Sequence, residues 1–392
     1  MRTFDTLGLP EPLHRSIHEA GYQTPTPIQA QAIPAILEGH DLIGCAQTGT
    51  GKTAAFVLPM LARLMESPSQ SRHVRALVVT PTRELAQQVA SSTKKYGKYT
   101  PFRSLCIYGG AGMQSQERAL RRGVSIVIAT PGRLLDHVRR GNLNLSHLGI
   151  LVLDEADRMM DMGFLPDIRK IVHATPRDRQ TLLFSATMPE AIQRLSTSIM
   201  REPRHIEVGE RRQPAETVNQ QVFMAPHARK LDLLIHLLKT EETERVLVFS
   251  RTKARADRIQ RKLTHMGFKT EVLHSNRTQG QRQKALQAFK SGHVNVLVAT
   301  DVAARGLDVE NISHVINFDT PEQPENYIHR IGRTGRAEAA GEAITFVAND
   351  EFRYLKNIER HIGKRFLRRM VRPEVEHYGN AMERPRRPAR RR

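Results

Sequence analysis

The chain has 392 residues, with 60 lysines and arginines against 40 aspartates and glutamates, which gives a formal net charge of +20. Its length predicts two domains, and its positive charge favours a polyanionic partner, most simply nucleic acid. The lack of an apolar run of about 18 residues argues against a membrane span. Two cysteines without CxxC spacing argue against a disulfide scaffold or a zinc site. The polar N-terminal stretch predicts a cytoplasmic protein.

Short apolar runs alternate with charge-bearing segments of helical period through the first half of the chain. The runs are ALVVT (76–80), SLCIY (104–108), SIVIAT (125–130), GILVLD (149–154) and TLLFSAT (181–187). Strands of a parallel sheet are covered on both faces, so they appear as continuous apolar runs. The alternation therefore predicts βαβ units around a parallel sheet.

The apolar pattern lapses at EVGERRQPAETVNQ (207–220), as expected for a linker, and then starts again. The later runs are RVLVFSRTK (245–253), TEVLHS (270–275), VNVLVATD (294–301), HVINFD (314–319) and AITFVAND (343–350). We predict two tandem α/β domains, residues 1–207 and 219–366, joined by a linker at 208–218. Residues 367–392, rich in proline and arginine, are predicted to form a disordered basic tail.

The stretch AQTGTGKT (46–53) resembles the P-loop that binds nucleotide phosphates. Gly49 and Gly51 would let backbone N–H groups close around the phosphates, Lys52 would reach the β- and γ-phosphates, and Thr53 would ligate Mg²⁺. Ala46 stands where the general pattern has its first glycine, and this small side chain is compatible with the same turn. ATP and Mg²⁺ are thus the expected cofactors.

The stretch ILVLDEADRMM (150–160) brings three carboxylates to the end of an apolar strand. A buried charge without a partner costs many kcal/mol, so a positive partner is expected, and Mg²⁺ with Lys52 would supply it. Asp154 would then reach the Mg²⁺ shell and Glu155 the attacking water. The alternative is that Asp154 and Glu155 only cap the following helix.

Residues 154–157 spell DEAD, and together with AQTGTGKT the chain resembles the DEAD-box family of ATP-dependent RNA helicases. Further motifs follow in the family order from Phe4 to about residue 350: GYQTPTPIQ (21–29), PTRELA (81–86), Gly109-Gly110, TPGR (130–133), SAT (185–187), VFSRTK (248–253), Gln279 with Arg282, ATDVAARGLD (299–308) and YIHRIGRTGR (327–336). The resemblance implies two RecA-like domains. Several segments are most similar to the bacterial RhlE-type branch, whereas HSNRTQG (274–280) has Ser275 where many relatives have glycine.

The resemblance also implies an ATP site built from both domains. Gln29 would read the adenine edge and Phe4 would cover the ring. The other implied nucleotide-binding residues are Ala46, Gln47, Thr48, Gly49, Thr50, Gly51, Lys52, Thr53 and Asp308. The implied catalytic set is Lys52, Asp154, Glu155 and two arginine fingers, Arg333 and Arg336, whose spacing by three from Arg330 would align them along one side of a helix; Thr53 and Asp154 would hold the metal.

Other residues are implied to couple hydrolysis to unwinding or to contact RNA. The coupling residues are Asp157, Ser185, Thr187 and His329. The RNA-contacting residues are Thr82, Arg83, Gly110, Thr130, Arg133, Arg251, Thr300 and Arg305. Hydroxyl, guanidinium and glycine backbone groups hold phosphates and 2′-hydroxyls without reading bases, so the binding is expected to be independent of sequence.

The predicted function is an RNA-dependent ATPase that locally unwinds short RNA duplexes or remodels RNA–protein complexes as two domains close on RNA. An ATP-gated RNA clamp or scaffold without unwinding is the alternative, because its motifs would be identical. A DNA helicase and a small-molecule P-loop kinase are disfavoured, the first by GYQTPTPIQ and DEAD, the second by the arginine fingers. The chain is expected to be a monomer, and its tail either tethers structured RNA or has no role.

Overall fold

The structure is a computed structural model that describes residues 3–46, 49–66, 73–208, 218–301, 309, 312–335 and 341–370. The chain divides into two compact units, Met1–Glu210 and Arg211–Arg392. Each unit contains a seven-stranded parallel sheet flanked by helices, which confirms the α/β class and the two tandem RecA-like folds. Among the described residues, no helix combines the length and the apolar character needed to cross a membrane.

The first unit begins with a 3-10 turn at Phe4–Leu7 and then alternates helices with strands. Its elements are α1 Glu11–Glu19, α2 Pro27–Leu37, β1 Leu42–Ala46, α3 Lys52–Glu66, β2 Ala76–Val79, α4 Arg83–Tyr96, β3 Ser104–Ile107, α5 Met113–Arg121, β4 Ile126–Ala129, α6 Pro131–Arg139, β5 Ile150–Asp154, α7 Ala156–Asp161, α8 Leu165–His173, β6 Gln180–Ser185, α9 Glu190–Ile199 and β7 Arg204–Val208. The strand order is β3-β4-β2-β5-β6-β1-β7, and every neighbouring pair is parallel. The carboxyl ends of all these strands therefore lie at one edge of the sheet.

Alternate residues of the first sheet enter two different hydrophobic cores. Val78, Val152 and Leu182 pack beneath the helices on one face. Leu151 and Leu183, each adjacent in sequence to a residue of the first set, pack on the other face. This double burial explains why the strands have no polar alternation.

The second unit repeats the arrangement. Its elements are β8 Val218–Met224, a 3-10 turn His227–Arg229, α10 Lys230–Thr240, β9 Val246–Phe249, α11 Lys253–His265, β10 Thr270–Leu273, α12 Gln279–Lys290, β11 Val296–Ala299, β12 His314–Asn317, α13 Pro324–Ile331, β13 Gly341–Val347, a 3-10 turn Asn349–Glu351, α14 Phe352–Ile362 and β14 Arg368–Met370. The strand order is β10-β11-β9-β12-β13-β8-β14, again with every pair parallel. Neighbouring positions such as Leu247 and Val248 again enter different cores.

Two strands overlap the segments predicted as linker and tail. β8 begins at Val218, the last residue assigned to the linker, and β14 pairs with β8 through Arg368 and Val222. The prediction of a disordered tail is wrong for residues 368–370, because main-chain hydrogen bonds to β8 order a segment whose side chains are exposed. Residues 209–217 and 371–392 lie outside the described residues.

Candidate ATP and RNA sites

The P-loop connects β1 to α3. Ala46 is the last residue of β1 and Lys52 the first of α3, and Gly49 and Gly51 both have φ of +90°. L side chains rarely adopt this backbone region, so glycine is required for the turn. The Lys52 ammonium donates to the Ala46 carbonyl at 2.5 Å, which places it inside the loop next to the opening turn of α3. Gln47 and Thr48 lie outside the described residues.

Gln29 joins the GYQTPTPIQ motif to the P-loop. Its Oε1 accepts from the Thr26 N–H at 2.9 Å in the capping box of α2, and its Nε2 donates to the Gly51 carbonyl at 3.1 Å. A Cβ at Gly51 would collide with the Gln29 amide. The structure thus gives Gln29 a part in the shape of the loop, while adenine recognition stays a prediction.

Tyr22 is an exposed aromatic residue within the GYQTPTPIQ motif. Phe4 is only 4% exposed and lies in the core, whereas Tyr22 is 43% exposed and its ring centroid lies 6.5 Å from that of Phe4. A ring that stacks on a base needs an open face, which the burial of Phe4 does not provide. Sequence reasoning missed Tyr22, although an aromatic residue inside GYQTPTPIQ was an available signal.

The carboxyl end of β5 presents a buried acid, Asp154, with one oxygen that has no hydrogen-bond partner among the described residues. Asp154 is buried, and its Oδ1 has no hydrogen-bond partner among the described residues. Burial, followed by the neighbouring Glu155 carboxylate, raises the pKa of Asp154 to about 7, against the opposing charge of Lys52. A cation would relieve both the missing bond and the repulsion, so the donor set of Asp154 and Thr53 fits Mg²⁺.

Glu155 has a charged partner that sequence reasoning missed. Its Oε2 accepts from Arg158 Nη1 at 2.7 Å, and both side chains are buried. Residue 155 has φ of +55° and precedes α7, but its side chain makes no capping hydrogen bond. The helix-capping alternative is therefore not supported for Glu155, and the available signal was the spacing of three between Glu155 and Arg158.

The structure brings three predicted coupling residues together. Asp157 Oδ2 accepts from the Thr187 N–H and hydroxyl, both at 2.9 Å, and from the Ala186 N–H at 3.2 Å. Ser185 Oγ accepts from the Asp157 N–H at 3.2 Å and donates to the Thr187 carbonyl at 2.7 Å. The third carboxylate of DEAD thus connects the end of β5 to the end of β6, and its role in coupling stays a prediction.

Predicted RNA contacts follow the other half of the first sheet. Thr82 follows β2 and caps α4 by accepting from the Leu85 N–H at 3.2 Å, and Thr130 follows β4 at the start of α6. Gly110 follows β3 with φ of +86°, and a Cβ there would collide with the Arg83 guanidinium. Since β3, β4 and β2 are neighbours, these residues lie on one side of β5. The P-loop and SAT lie on its other side, after β1 and β6.

Arg133 and Arg251 are engaged with their own units. Arg133 Nη1 donates to the Ala111 carbonyl at 3.0 Å and to Gln116 Oε1 at 3.2 Å. Arg251 Nη2 donates to Glu351 Oε1 at 2.9 Å and to the Thr320 carbonyl at 3.1 Å. Both arginines are partly exposed, so RNA phosphates could reach them, but these bonds already fix their positions. Thr300 is buried beside β11, and Arg305 lies outside the described residues.

His227, Asp319 and Glu351 have ligand atoms within 4.8 Å of one another, as a cation site would require. The negative charges of the Asp319 and Glu351 carboxylates are already balanced by side chains of the protein. Glu351 pairs with the buried Lys230 at 2.5 Å and with Arg251, while Asp319 pairs with Arg255 and accepts from the Arg251 N–H at 2.8 Å. The positive charges that balance these carboxylates are therefore lysine and arginine side chains of the protein itself.

The HRIGRTGR motif does not form one helical row of arginines. α13 ends at Ile331 and Gly332 follows, so Arg333 lies beyond the helix and the predicted alignment with Arg330 is wrong. Arg330 binds Asp301 through Nε at 2.6 Å and Nη2 at 2.7 Å, which gives it an anchoring position. Arg333 is buried, and His329 lies in the last turn of α13. Arg336 and Asp308 lie outside the described residues.

Comparison with known proteins agrees with this geometry. Residues 26–195 match the DEAD/DEAH box helicase family, and residues 229–338 match the helicase conserved C-terminal domain. The chain is 46% identical over 376 residues to the DEAD-box ATP-dependent RNA helicase CshA of Bacillus cereus, covering 96% of this chain and 71% of that one. It is 46% identical over 365 residues to the ATP-dependent RNA helicase CshA of Listeria monocytogenes, covering 93% and 70%.

Solved structures show the same fold. The S. cerevisiae protein Dbp5, bound to RNA and ADP BeF3, superimposes with a TM-score of 0.85 at 32% identity, covering 94% of this chain and 96% of that one. Mss116p, bound to ssRNA and AMP-PNP, superimposes with a TM-score of 0.87 at 28% identity, covering 95% and 80%. The RhlE-type branch stays a prediction, since the relatives named here are CshA proteins. With matches across both domains and nearly half of its residues shared with these relatives, this chain belongs to the DEAD-box family of ATP-dependent RNA helicases.

Proposed function

We propose that the chain is an RNA-dependent ATPase that locally unwinds short RNA duplexes, or remodels RNA–protein complexes, by ATP-driven closure of its two domains on RNA. One observation supports this most strongly. Asp154 Oδ1 is buried at the end of β5 without a hydrogen-bond partner in the described part of the chain, and the P-loop follows β1, two strands away in the same sheet. Asp154 Oδ1 is thus available to bind the cation that accompanies a nucleotide.

The residues of the first unit divide the chemistry among them. Backbone N–H groups near Gly49 and Gly51 would hold the phosphates, with Lys52 neutralising charge on the transferred group. Thr53 and Asp154 would hold Mg²⁺, which compensates charge on the β- and γ-phosphates. Glu155 would orient the attacking water and accept its proton.

Base recognition would come from the GYQTPTPIQ motif. We assign the ring that stacks on adenine to Tyr22, because its face is exposed and that of Phe4 is not. Phe4 would support Tyr22 from the core. Gln29 would read the adenine edge while its amide keeps contact with Gly51.

The second unit would complete the site on closure. Arg333 and Arg336 would stabilise charge on the γ-phosphate, and Asp308 would contact the nucleotide. ATP and RNA would each favour the closed state, so each would raise the affinity for the other by the same factor. The RNA contacts, namely Thr82, Arg83, Gly110, Thr130, Arg133, Arg251, Thr300 and Arg305, would hold one strand by its backbone without reading sequence. The basic tail would add affinity for structured RNA, and the protein would act as a cytoplasmic monomer.

The test is the Glu155→Gln variant with the full chain. ATP and RNA binding should stay near the native level, while RNA-stimulated ATP hydrolysis should fall by about 10² to 10⁴-fold, the range for a lost general base. Glu190→Gln, which changes an exposed carboxylate paired with Arg194 on α9, is the matched control. Native turnover in Glu155→Gln would contradict the assignment.

The clamp alternative requires a different assay. Strand displacement from a short RNA duplex, measured with ATP and with a non-hydrolysable analogue, separates an unwinding enzyme from a clamp. An unwinding enzyme releases the strand in an ATP-dependent way. ATP-dependent RNA retention without any release would favour the clamp, and stimulation of hydrolysis by DNA as strong as that by RNA would contradict RNA specificity.

A further inference from the structure

Arg158 is a buried guanidinium beside the residue assigned to water activation. Its side chain is 2% exposed and its Nη1 donates to Glu155 Oε2 at 2.7 Å. Its Nη2 is buried without a hydrogen-bond partner among the described residues. Burying a charged group with incomplete partners is costly, so an arrangement of this kind requires an explanation.

Arg330 shows how this fold satisfies a buried arginine that only anchors structure. It is 3% exposed, about as buried as Arg158. Its guanidinium makes two bonds to Asp301 and two more, to Asn317 Oδ1 at 3.0 Å and the Asp319 carbonyl at 2.9 Å. Arg158 instead makes one ion pair, to Glu155, and its Nη2 has no partner among the described residues, so its hydrogen bonding is directed at that single carboxylate.

Glu155, the partner of Arg158 in the ion pair, has a strained backbone conformation. Among the described non-glycine residues, only Glu155 and Glu202 have positive φ. Such a conformation is strained for a residue with a side chain and is typical of functional sites. It starts α7 so that Arg158, three residues later, reaches Glu155 Oε2, whereas Glu155 Oε1 receives no hydrogen bond from the described residues.

We propose that Arg158 is a positioning residue for Glu155. It holds Oε2 and so leaves Oε1 to accept a hydrogen bond from the attacking water. In the reaction, the water oxygen bonds to the γ-phosphorus, the bond to the β–γ bridging oxygen breaks with its electrons passing to ADP, and Oε1 takes the proton. This inference rests on the proposed role of Glu155.

The expected loss of kcat follows from the displacement of the Glu155 carboxylate that the loss of Arg158 would allow. A displacement of about 1 Å at a reacting group can lower a rate by about 10²-fold. Arg158→Gln removes the charge and the fork while keeping much of the volume, so kcat for RNA-stimulated hydrolysis should fall by about 10²-fold, with KM for ATP within about threefold of native. A merely structural role would not separate kcat from KM in this way.

Arg158→Lys tests the same point with a buried cation retained. An ammonium can pair with Glu155, but on its flexible stem it does not place its donor where the rigid guanidinium places Nη1. Its kcat should lie between the native value and that of Arg158→Gln. A native kcat in Arg158→Lys would overturn the proposal, and this variant decides the matter if Arg158→Gln does not fold.

A double variant and a control complete the experiment. In the Glu155→Gln background, Arg158→Gln should cause no further loss of kcat, because the two residues act as one unit. Arg179→Gln is the control: Arg179 is partly buried, donates to the Pro176 and Ile199 carbonyls, and precedes β6 at the end remote from Ser185. Its kcat should be native.

The outcomes separate the two claims. If Glu155→Gln abolishes hydrolysis while Arg158→Gln changes kcat by less than about twofold, the positioning role is wrong and the proposed function stands. A full further loss in the double variant would also overturn the role, since Arg158 would then act elsewhere. If Glu155→Gln hydrolyses ATP at the native rate, the proposed role of Glu155 fails, and the role of Arg158 fails with it.

Discussion

Gly51→Ala tests whether the Gln29 contact holds the P-loop in its shape. Gly51 has φ of +90°, and a methyl group there would collide with the Gln29 amide. The backbone conformation costs an alanine about 1 to 2 kcal/mol. Displacing the amide breaks its bonds to the Thr26 N–H and the Gly51 carbonyl, each worth about 1 kcal/mol. The sum, about 3 to 4 kcal/mol, corresponds to roughly 10² to 10³-fold weaker ATP binding if the loop must regain its native shape.

The assay is a titration of ATP against the full-length protein, with the dissociation constant as the readout. Gly163→Ala is the matched control, because Gly163 has φ of +76° but no atom of the described residues lies within 4 Å of its Cβ position. It carries the backbone cost without the collision, and its ATP affinity should be native.

The double variant Gly51→Ala with Gln29→Ala isolates the collision. Removing the Gln29 side chain makes room for the methyl group, so the double variant should bind ATP more tightly than the two single losses predict, by about 1 to 2 kcal/mol. Simple additivity would show that the amide and the loop are independent. ATP affinity within threefold of native in Gly51→Ala would refute the reasoning altogether.

Two further predictions concern neighbouring parts of the site. Tyr22→Ala should weaken ATP binding by about 1 to 3 kcal/mol, the usual value of an aromatic–base stack, whereas Tyr22→Phe should bind ATP with native affinity. If a titration gave Tyr22→Ala the same ATP affinity as the native protein, Tyr22 would be excluded as the stacking ring. Asp157→Asn replaces charge-assisted bonds to Thr187 and Ala186 with neutral ones, a loss of about 1 to 2 kcal/mol, so the ATP consumed per duplex displaced should rise by about tenfold. An unchanged ratio of hydrolysis to strand displacement would remove Asp157 from the coupling network.

The central strands were predictable because burial on both faces requires apolar residues at every position. Runs such as GILVLD and VNVLVATD leave little alternative, and they coincide with β5 and β11. β14 was not predictable in this way, because its residues are exposed and its order comes from main-chain bonds to β8. Sequence patterns carry little information about such bonds.

The site shows the same division. The P-loop glycines and the DEAD motif were predictable from the sequence because phosphate and metal chemistry restricts the residue types at these positions. Arg158 was not, since its importance depends on where φ of +55° at residue 155 places a carboxylate. The anchoring of Arg251 by Glu351 was equally hidden, because the two lie 100 positions apart in the chain.

The bond between Gln29 and Gly51 has a consequence for how nucleotide choice could evolve in this protein. The side chain expected to select the base also supports the loop expected to select the triphosphate. A variant that accepted another nucleobase by replacing Gln29 would lose that support, and a compensating change in the loop would need to arise with it. Single substitutions should therefore seldom yield an efficient enzyme with altered base preference, and a laboratory selection for GTP use should recover changes at both positions together.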